Sequence, residues 1–145
     1  MEQKDKELLL KDLSARLPYG VCVELPNHHL VKHIYSIKSI SMENGWTTGV
    51  LECAGRKKIY SAKIEDVKPY LRPMSSMTEE EKDYVVKHSL GYTANIGGGK
   101  KDEKLYFHFK AESYDWLNKK MFDFRGLIPK DLALSTETFN PYIED

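Results

Sequence analysis

Histidines, cysteines, a glycine run and a basic hairpin are the places where this chain could carry chemistry. His28, His29 and His33 look at first like metal ligands, because His29 and His33 would share one face of a helix. The surrounding residues read as turn and strand, where positions four apart stand more than ~13 Å from each other along one face. One ion cannot bridge that gap, so these are read as exposed strand histidines, and no metal or other cofactor is implied. Gly97, Gly98 and Gly99, followed by Lys100 and Lys101, invite comparison with loops whose backbone amides wrap a phosphate. The Walker spacing is missing, no Ser or Thr follows the lysines, and Asp102 and Glu103 would repel an anion, so a surface loop accounts for the run. A nucleophilic Cys22 or Cys53 would need a histidine and a carboxylate beside it. Both instead lie in strand-like sequence, where a thiol is small apolar filler. The acids Glu65, Asp66, Asp115 and Asp123 form no anchored pair, and Arg125 reads as a charge partner for Asp123 or as a loop anchor.

Charge distribution is the remaining signal. The whole chain balances 22 basic against 22 acidic residues, so it generates no global field to attract nucleic acid or an anionic membrane. The balance is uneven along the sequence: residues 30–73 hold eight basic and four acidic side chains, net +4, and residues 74–145 hold ten and thirteen, net −3. Arg56, Lys57, Lys58 and Lys63 fall on one predicted hairpin with Tyr60 and near Trp46. Basic strands with stacking aromatics suit single-stranded nucleic acid, although lysine on a strand edge also guards against aggregation. The late aromatics Tyr106, Phe107, Phe109, Tyr114, Trp116, Phe122 and Phe124 stand at strand and helix spacings and read as core rather than pocket lining.

The elements that must position these residues follow from periodicity. Leu9, Leu13 and Leu17, with Leu10, make the stripe of an amphipathic helix over 5–17 that Pro18 ends. Val21, Val23 and Leu25 alternate as a half-buried strand. Residues 30–42 predict a strand whose apolar parity shifts between Ile34, Tyr35, Ile37 and Ile40, the mark of a bulge. Asn44-Gly45 predicts a tight hairpin into a strand over 46–53, and Ala54-Gly55 turns the chain into another over 57–64. Residues 65–71 read as a short helical turn pinned by Pro69 and Pro73. Thr78 and Glu81 make a capping box for a helix ending near Gly91, with Met77, Tyr84, Val85 and His88 on its inner face. Residues 91–104 read as a mobile loop, and Leu105, Phe107 and Phe109 as a strand. A helix capped by Ser113 should bury Trp116 and Leu117, and a second should start at Pro129. The expectation is an α+β fold in one composite domain, 1–145. It has an N-terminal helix, an antiparallel β meander over 1–73 with a small SH3-like barrel as one form, and a mainly helical part over 74–145.

Three stretches, ELLLKDLSARLPYGV, EDVKPYLRPMSSMTEEE and DWLNKKMFDFRGLIPKDLAL, together resemble a family of small uncharacterised proteins from gut Bacteroides-type bacteria and their phages or mobile elements. The resemblance implies a cytoplasmic setting and mobile-element ancestry, and transfers no functional residue. The N-terminus lacks a signal-peptide core of roughly 7–15 apolar residues, and no stretch is long enough to span a membrane. A non-catalytic module that binds a protein partner in the cytoplasm is therefore the first expectation. Nucleic-acid binding through Trp46, Arg56, Lys57, Lys58, Tyr60 and Lys63 is the second, and an enzyme of unrecognised type the third.

Overall fold

Leu9, Leu10 and Leu13 set the first layer. The helix they specify, α1 (Gln3–Arg16), buries all three completely, each contributing roughly 1.5–3 kcal/mol. Asp12 and Arg16, one turn apart, are buried with them. Pro18 lies in a short 3-10 turn, Leu17–Tyr19, and Gly20 adopts a left-handed φ of 71° that redirects the chain into the sheet. The computed structural model describes residues 2–25, 34–43, 48–54, 59–88 and 111–142.

The expected meander forms: β1 (Cys22–Glu24), β2 (Tyr35–Glu43), β3 (Thr48–Ala54) and β4 (Ile59–Lys63) pair consecutively and antiparallel. The bulge forms as well, with the β2–β3 register slipping between Ile37 and Ser39 and leaving Lys38 as the extra residue. Ile37 and Ile40, three apart, would otherwise face opposite sides; the bulge lets both reach the core. Asn44-Gly45 lies outside the described residues, yet Glu43 opposite Thr48 shows that the strands it joins run antiparallel.

Residues 65–71 correct the expectation of a helical turn. A 3-10 turn covers only Ile64–Asp66, and β5 (Lys68–Leu71) then pairs antiparallel with β1 and parallel with β6 (Leu134–Ser135). Pro69 reads locally as a helix pin, but its fixed φ also suits an extended chain. Distant partners decide between the two, Val23 facing Pro69 and Leu134 facing Tyr70. The strand order is β4-β3-β2-β1-β5-β6. This is an open sheet rather than an SH3-like barrel, since β4 and β6 form its edges and no pairing among the described residues joins them.

The capping box is present in both halves. Thr78 Oγ1 accepts from the Glu81 N–H (3.2 Å), and Glu81 Oε1 accepts from the Thr78 N–H (3.0 Å), starting α2 (Glu79–His88). Ser113, by contrast, is not a cap. α3 (Ala111–Lys119) begins two residues earlier, and Ser113 is buried one turn before the fully buried Leu117, on the same face. No helix starts at Pro129 either. The chain there makes successive turns, with the Lys130 N–H on the Leu127 carbonyl (3.1 Å) and the Asp131 N–H on the Ile128 carbonyl (3.0 Å). Asp131 then reverses direction at a φ of 58° and delivers buried Leu132 and Ala133 to the core.

One face of the sheet supplies Val21, Val23, Leu25, Tyr35, Ile37 and Leu71 to a cluster completed by the α1 leucines and by Met121, Leu127 and Leu132. A second cluster of Val85, Leu117 and Phe122 joins α2 to α3. The expectations for His28, His29 and His33, for the loop at 91–104 and for the strand at 105–110 concern residues outside those described.

Candidate functional site

The buried charges are absorbed by architecture. Asp12 accepts from Arg16 Nε (2.9 Å) and Nη2 (3.0 Å) and from Arg125 Nη1 (2.7 Å). Arg16 also donates to the carbonyls of Phe122 (2.6 Å) and Asn118 (3.4 Å), and Arg125 to Asn118 Oδ1 (3.0 Å). Arg125 thus pairs with Asp12 rather than with Asp123, the first of the two roles its position suggests. Asp123 spends both carboxylate oxygens on the N–H groups of Leu127 (2.7 Å) and Ile128 (2.9 Å) and fixes the following turn. A second node lies on the α2 side. Arg72 grips both oxygens of Glu81 (2.7 and 2.9 Å) and lies 4.1 Å over the Phe122 ring, on which Trp116 and then Tyr84 stack. The hydrogen bonds from Arg72 hold the Glu81 carboxyl down to about 2. Phe122 is core, with Trp116 and Phe124 half-buried against it, whereas Tyr114 is 40% exposed, which corrects its reading as a core aromatic. α3 and the turn after it position them.

The other sheet face is where side chains remain available. Strand alternation sends Ile37, Ile40 and Ala62 to the core and leaves Lys38, Ser41, Ser61 and Lys63 exposed on the opposite side, with Ser36 half-buried among them. Lys38 on β2 and Lys63 on β4 are two strand spacings, roughly 10 Å, apart across the sheet and offset by about two residues along it. Lys38 projects because it is the bulged residue, a consequence of the parity shift that the sequence shows but that did not single it out. Of the residues expected to form a basic site, Lys63 ends β4 and is exposed, and Tyr60 lies within the same strand. Trp46, Arg56, Lys57 and Lys58 lie outside the described residues.

Farther along this face, β1 and β5 carry Cys22, Glu24, Lys68 and Tyr70, since Glu24 is opposite Lys68 and the alternation continues on both strands. Lys68 is tied to Asp131 at 3.0 Å. Tyr70 is covered by the edge of Phe139, with ring centroids 5.7 Å apart at 64°. The next rung, Cys22 to Tyr70, is not closed by the backbone. Tyr142 stands in it: its hydroxyl accepts the Cys22 N–H at 2.9 Å and donates to the Tyr70 carbonyl at 2.8 Å. Nothing in the sequence marks Tyr142 for this role.

Catalytic chemistry finds little support on this surface. The Cys22 thiol is half-buried and free, and desolvation pushes it above the ordinary thiol range, which disfavours the reactive thiolate. Among the described residues no group of His, Cys, Asp and Glu side chains could hold a metal ion, and no helix is long and apolar enough to cross a membrane. Comparison with family models, with curated proteins and with solved structures finds no match.

Proposed function

We propose that the protein is a small non-catalytic interaction module of the cytoplasm that docks the acidic surface of a protein partner on the outer face of its sheet. One observation carries this reading: Lys38 and Lys63 stand exposed on the side opposite the core, with Ser41 and Ser61 exposed on the same strands. Two cations held on separate strands of one sheet face favour a pre-ordered acidic surface. Carboxylates that steer onto the lysines give association rate and register, and the serines contribute adaptable hydrogen bonds. In sequence, Arg56, Lys57 and Lys58 directly precede β4, so this half of the chain carries further positive charge. A free thiol at Cys22 accords with a reducing compartment.

The test uses a glutamate-rich peptide and a single-stranded oligothymidylate as probes, titrated separately into the full chain at low and high salt while amide shifts are recorded. Peptide binding with shifts confined to residues near Lys38, Ser61 and Lys63, abolished in the Lys38→Glu/Lys63→Glu variant, is the expected result. Preferential binding of the oligonucleotide with steep salt dependence would replace this reading by nucleic-acid recognition. Binding of neither probe would overturn both.

A further inference from the structure

Arg125 uses only part of its hydrogen-bonding capacity inside the fold. A guanidinium presents its N–H donors in a fixed planar fork. Arg16 commits all three of its nitrogens: Nε and Nη2 to Asp12, Nη2 again to the Phe122 carbonyl, and Nη1 to the Asn118 carbonyl. Arg125 commits one. Its Nη1 donates to Asp12 Oδ1 (2.7 Å) and to Asn118 Oδ1 (3.0 Å), while Nε and Nη2 have no hydrogen-bond partner among the described residues. Neither of those two nitrogens is sealed from water, and the side chain keeps 14% of its surface where that of Arg16 keeps none. One edge of the fork is anchored in the protein and the other faces outward.

That outward edge is held still. Asp12 and Asn118 grip the opposite corner, and the guanidinium lies 4.1 Å over the Phe124 ring. The turn that carries both residues is fixed by Asp123 on the Leu127 and Ile128 N–H groups and by Gly126 at a φ of 76°. A ligand meeting this edge therefore orders no mobile side chain, a large part of the usual entropic cost of engaging an arginine. The neighbouring charges decide what it can be. Arg16 and Arg125 share Asp12, so two cations have one carboxylate between them. Asp123 touches neither, but Asp12 and Asp123 both act on Arg125 through space, leaving a single, partly offset positive charge at the edge. Such a charge suits a monoanion and compensates a doubly charged phosphate poorly. A carboxylate is also planar, and meets Nε–H and Nη2–H with two parallel bonds.

We propose that the Nε–Nη2 edge of Arg125 is a binding site for a carboxylate monoanion, supplied by a free small acid or by the C-terminus of a peptide. The site lies on the α1 side of the sheet, away from Lys38 and Lys63, and stands or falls independently of the acidic partner proposed for that other face.

The full chain is titrated with sodium acetate, with inorganic phosphate, and with an N-acetylated tetraalanine peptide ending in a free carboxylate, at constant ionic strength set by chloride. The side-chain Nε–H signals of Arg16 and Arg125 and the backbone amides are followed by nuclear magnetic resonance. Acetate should shift the Arg125 signal saturably and leave Arg16 in place, with half-saturation at roughly millimolar concentration for two solvent-facing charge-assisted bonds. Arg125→Lys keeps the charge but loses the fork, so the acetate-dependent shift of the Gly126 amide should need roughly tenfold more acetate. A peptide that binds more tightly than acetate assigns the site to chain termini, and one that binds no more tightly assigns it to free acids. An Arg125 signal that does not saturate, a response to acetate matched by chloride, or tighter binding of phosphate than of acetate would overturn the proposal. If Arg125→Lys does not fold, Phe124→Leu decides, because it removes the ring beneath the guanidinium while leaving both of its hydrogen bonds. Acetate affinity should then fall roughly threefold, and unchanged affinity refutes the preorganised edge.

Discussion

Two arginine–carboxylate nodes fasten the C-terminal part to the rest of the fold, and they differ in how much water reaches them. At the α1 node, the side chains of Asp12 and Arg16 are wholly inaccessible while Arg125 keeps 14% of its surface, and the partners lie up to 113 residues apart in sequence. At the α2 node, Arg72 and Glu81 are nine residues apart and both keep some contact with solvent. The pairing chemistry is shared, but the dielectric is not. A buried ion pair contributes little net stability over an apolar replacement, yet leaves a severe penalty when one member is removed. A wetter pair contributes modestly, and water takes over part of its role when it breaks. The α1 node therefore acts mainly as a specificity device, fixing where residues 118–125 meet the helix, and the α2 node as a modest stabiliser.

The largest effect should come from breaking the drier node one-sidedly. Asp12→Ala strands the Arg16 guanidinium in the interior and leaves half-buried Arg125 without its carboxylate, and we expect a loss of about 3–5 kcal/mol in urea-monitored unfolding. Replacing all three charges together, Asp12→Leu with Arg16→Met and Arg125→Met, should cost far less than that single change, because no uncompensated charge remains. If the triple variant is at least as unstable as Asp12→Ala, the contrast between the nodes fails.

The α2 node should yield less, with a distinct pH signature. Arg72 holds the Glu81 carboxyl at about 2 in the folded chain, against an ordinary value of 4.5. A depressed folded value means that the stabilisation is complete above 4.5, fades as pH falls from 4.5 toward 2, and is absent below that. The unscreened shift corresponds to roughly 3 kcal/mol, and solvent at the pair reduces this to about 1–2 kcal/mol. Glu81→Gln should lower the neutral-pH urea midpoint accordingly and converge with the unmodified chain near pH 2. Parallel curves across that range would show that the ion pair contributes nothing.

Tyr142→Phe should fall close behind. It removes one hydroxyl that satisfies two backbone groups, at about 1–2 kcal/mol, and the loss should appear as faster amide exchange at Cys22 before any change in the α2 node.

The same division between local and distant partners explains what could be read from the sequence. The α1 stripe, a bulge within β2 and the Thr78–Glu81 box are settled by residues within one or two turns of each other, and each is found. β5 and β6 have four and two residues, too few for periodicity to register, and exist because Val23 and Leu134 supply partners from far along the chain. Asp12 and Arg16, in KDLSAR, look like an exposed i,i+4 pair; only the descent of residues 118–125 onto α1 buries them. The candidate face was legible in Lys63 and hidden in Lys38 and Tyr142, because exposure of a bulged residue and insertion of a side chain into a ladder are properties of the assembled sheet.

The smallest and most discriminating experiment concerns the carboxylate that serves two masters. Glu81 Oε1 accepts from both Arg72 (2.7 Å) and the Thr78 N–H (3.0 Å), so the helix cap and the ion pair share one oxygen. Thr78→Ala alone should cost about 1 kcal/mol, the usual loss of an N-cap hydroxyl. Arg72→Ala frees Glu81 to swing away from the cap as well as breaking the pair. The two changes combined should therefore cost less than their sum, with a coupling of about 0.5 kcal/mol or more, as expected of residues in one network. Strict additivity in the double-mutant cycle would mean that the cap holds Glu81 without help, and that Arg72 joins an α2 whose first turn is already set.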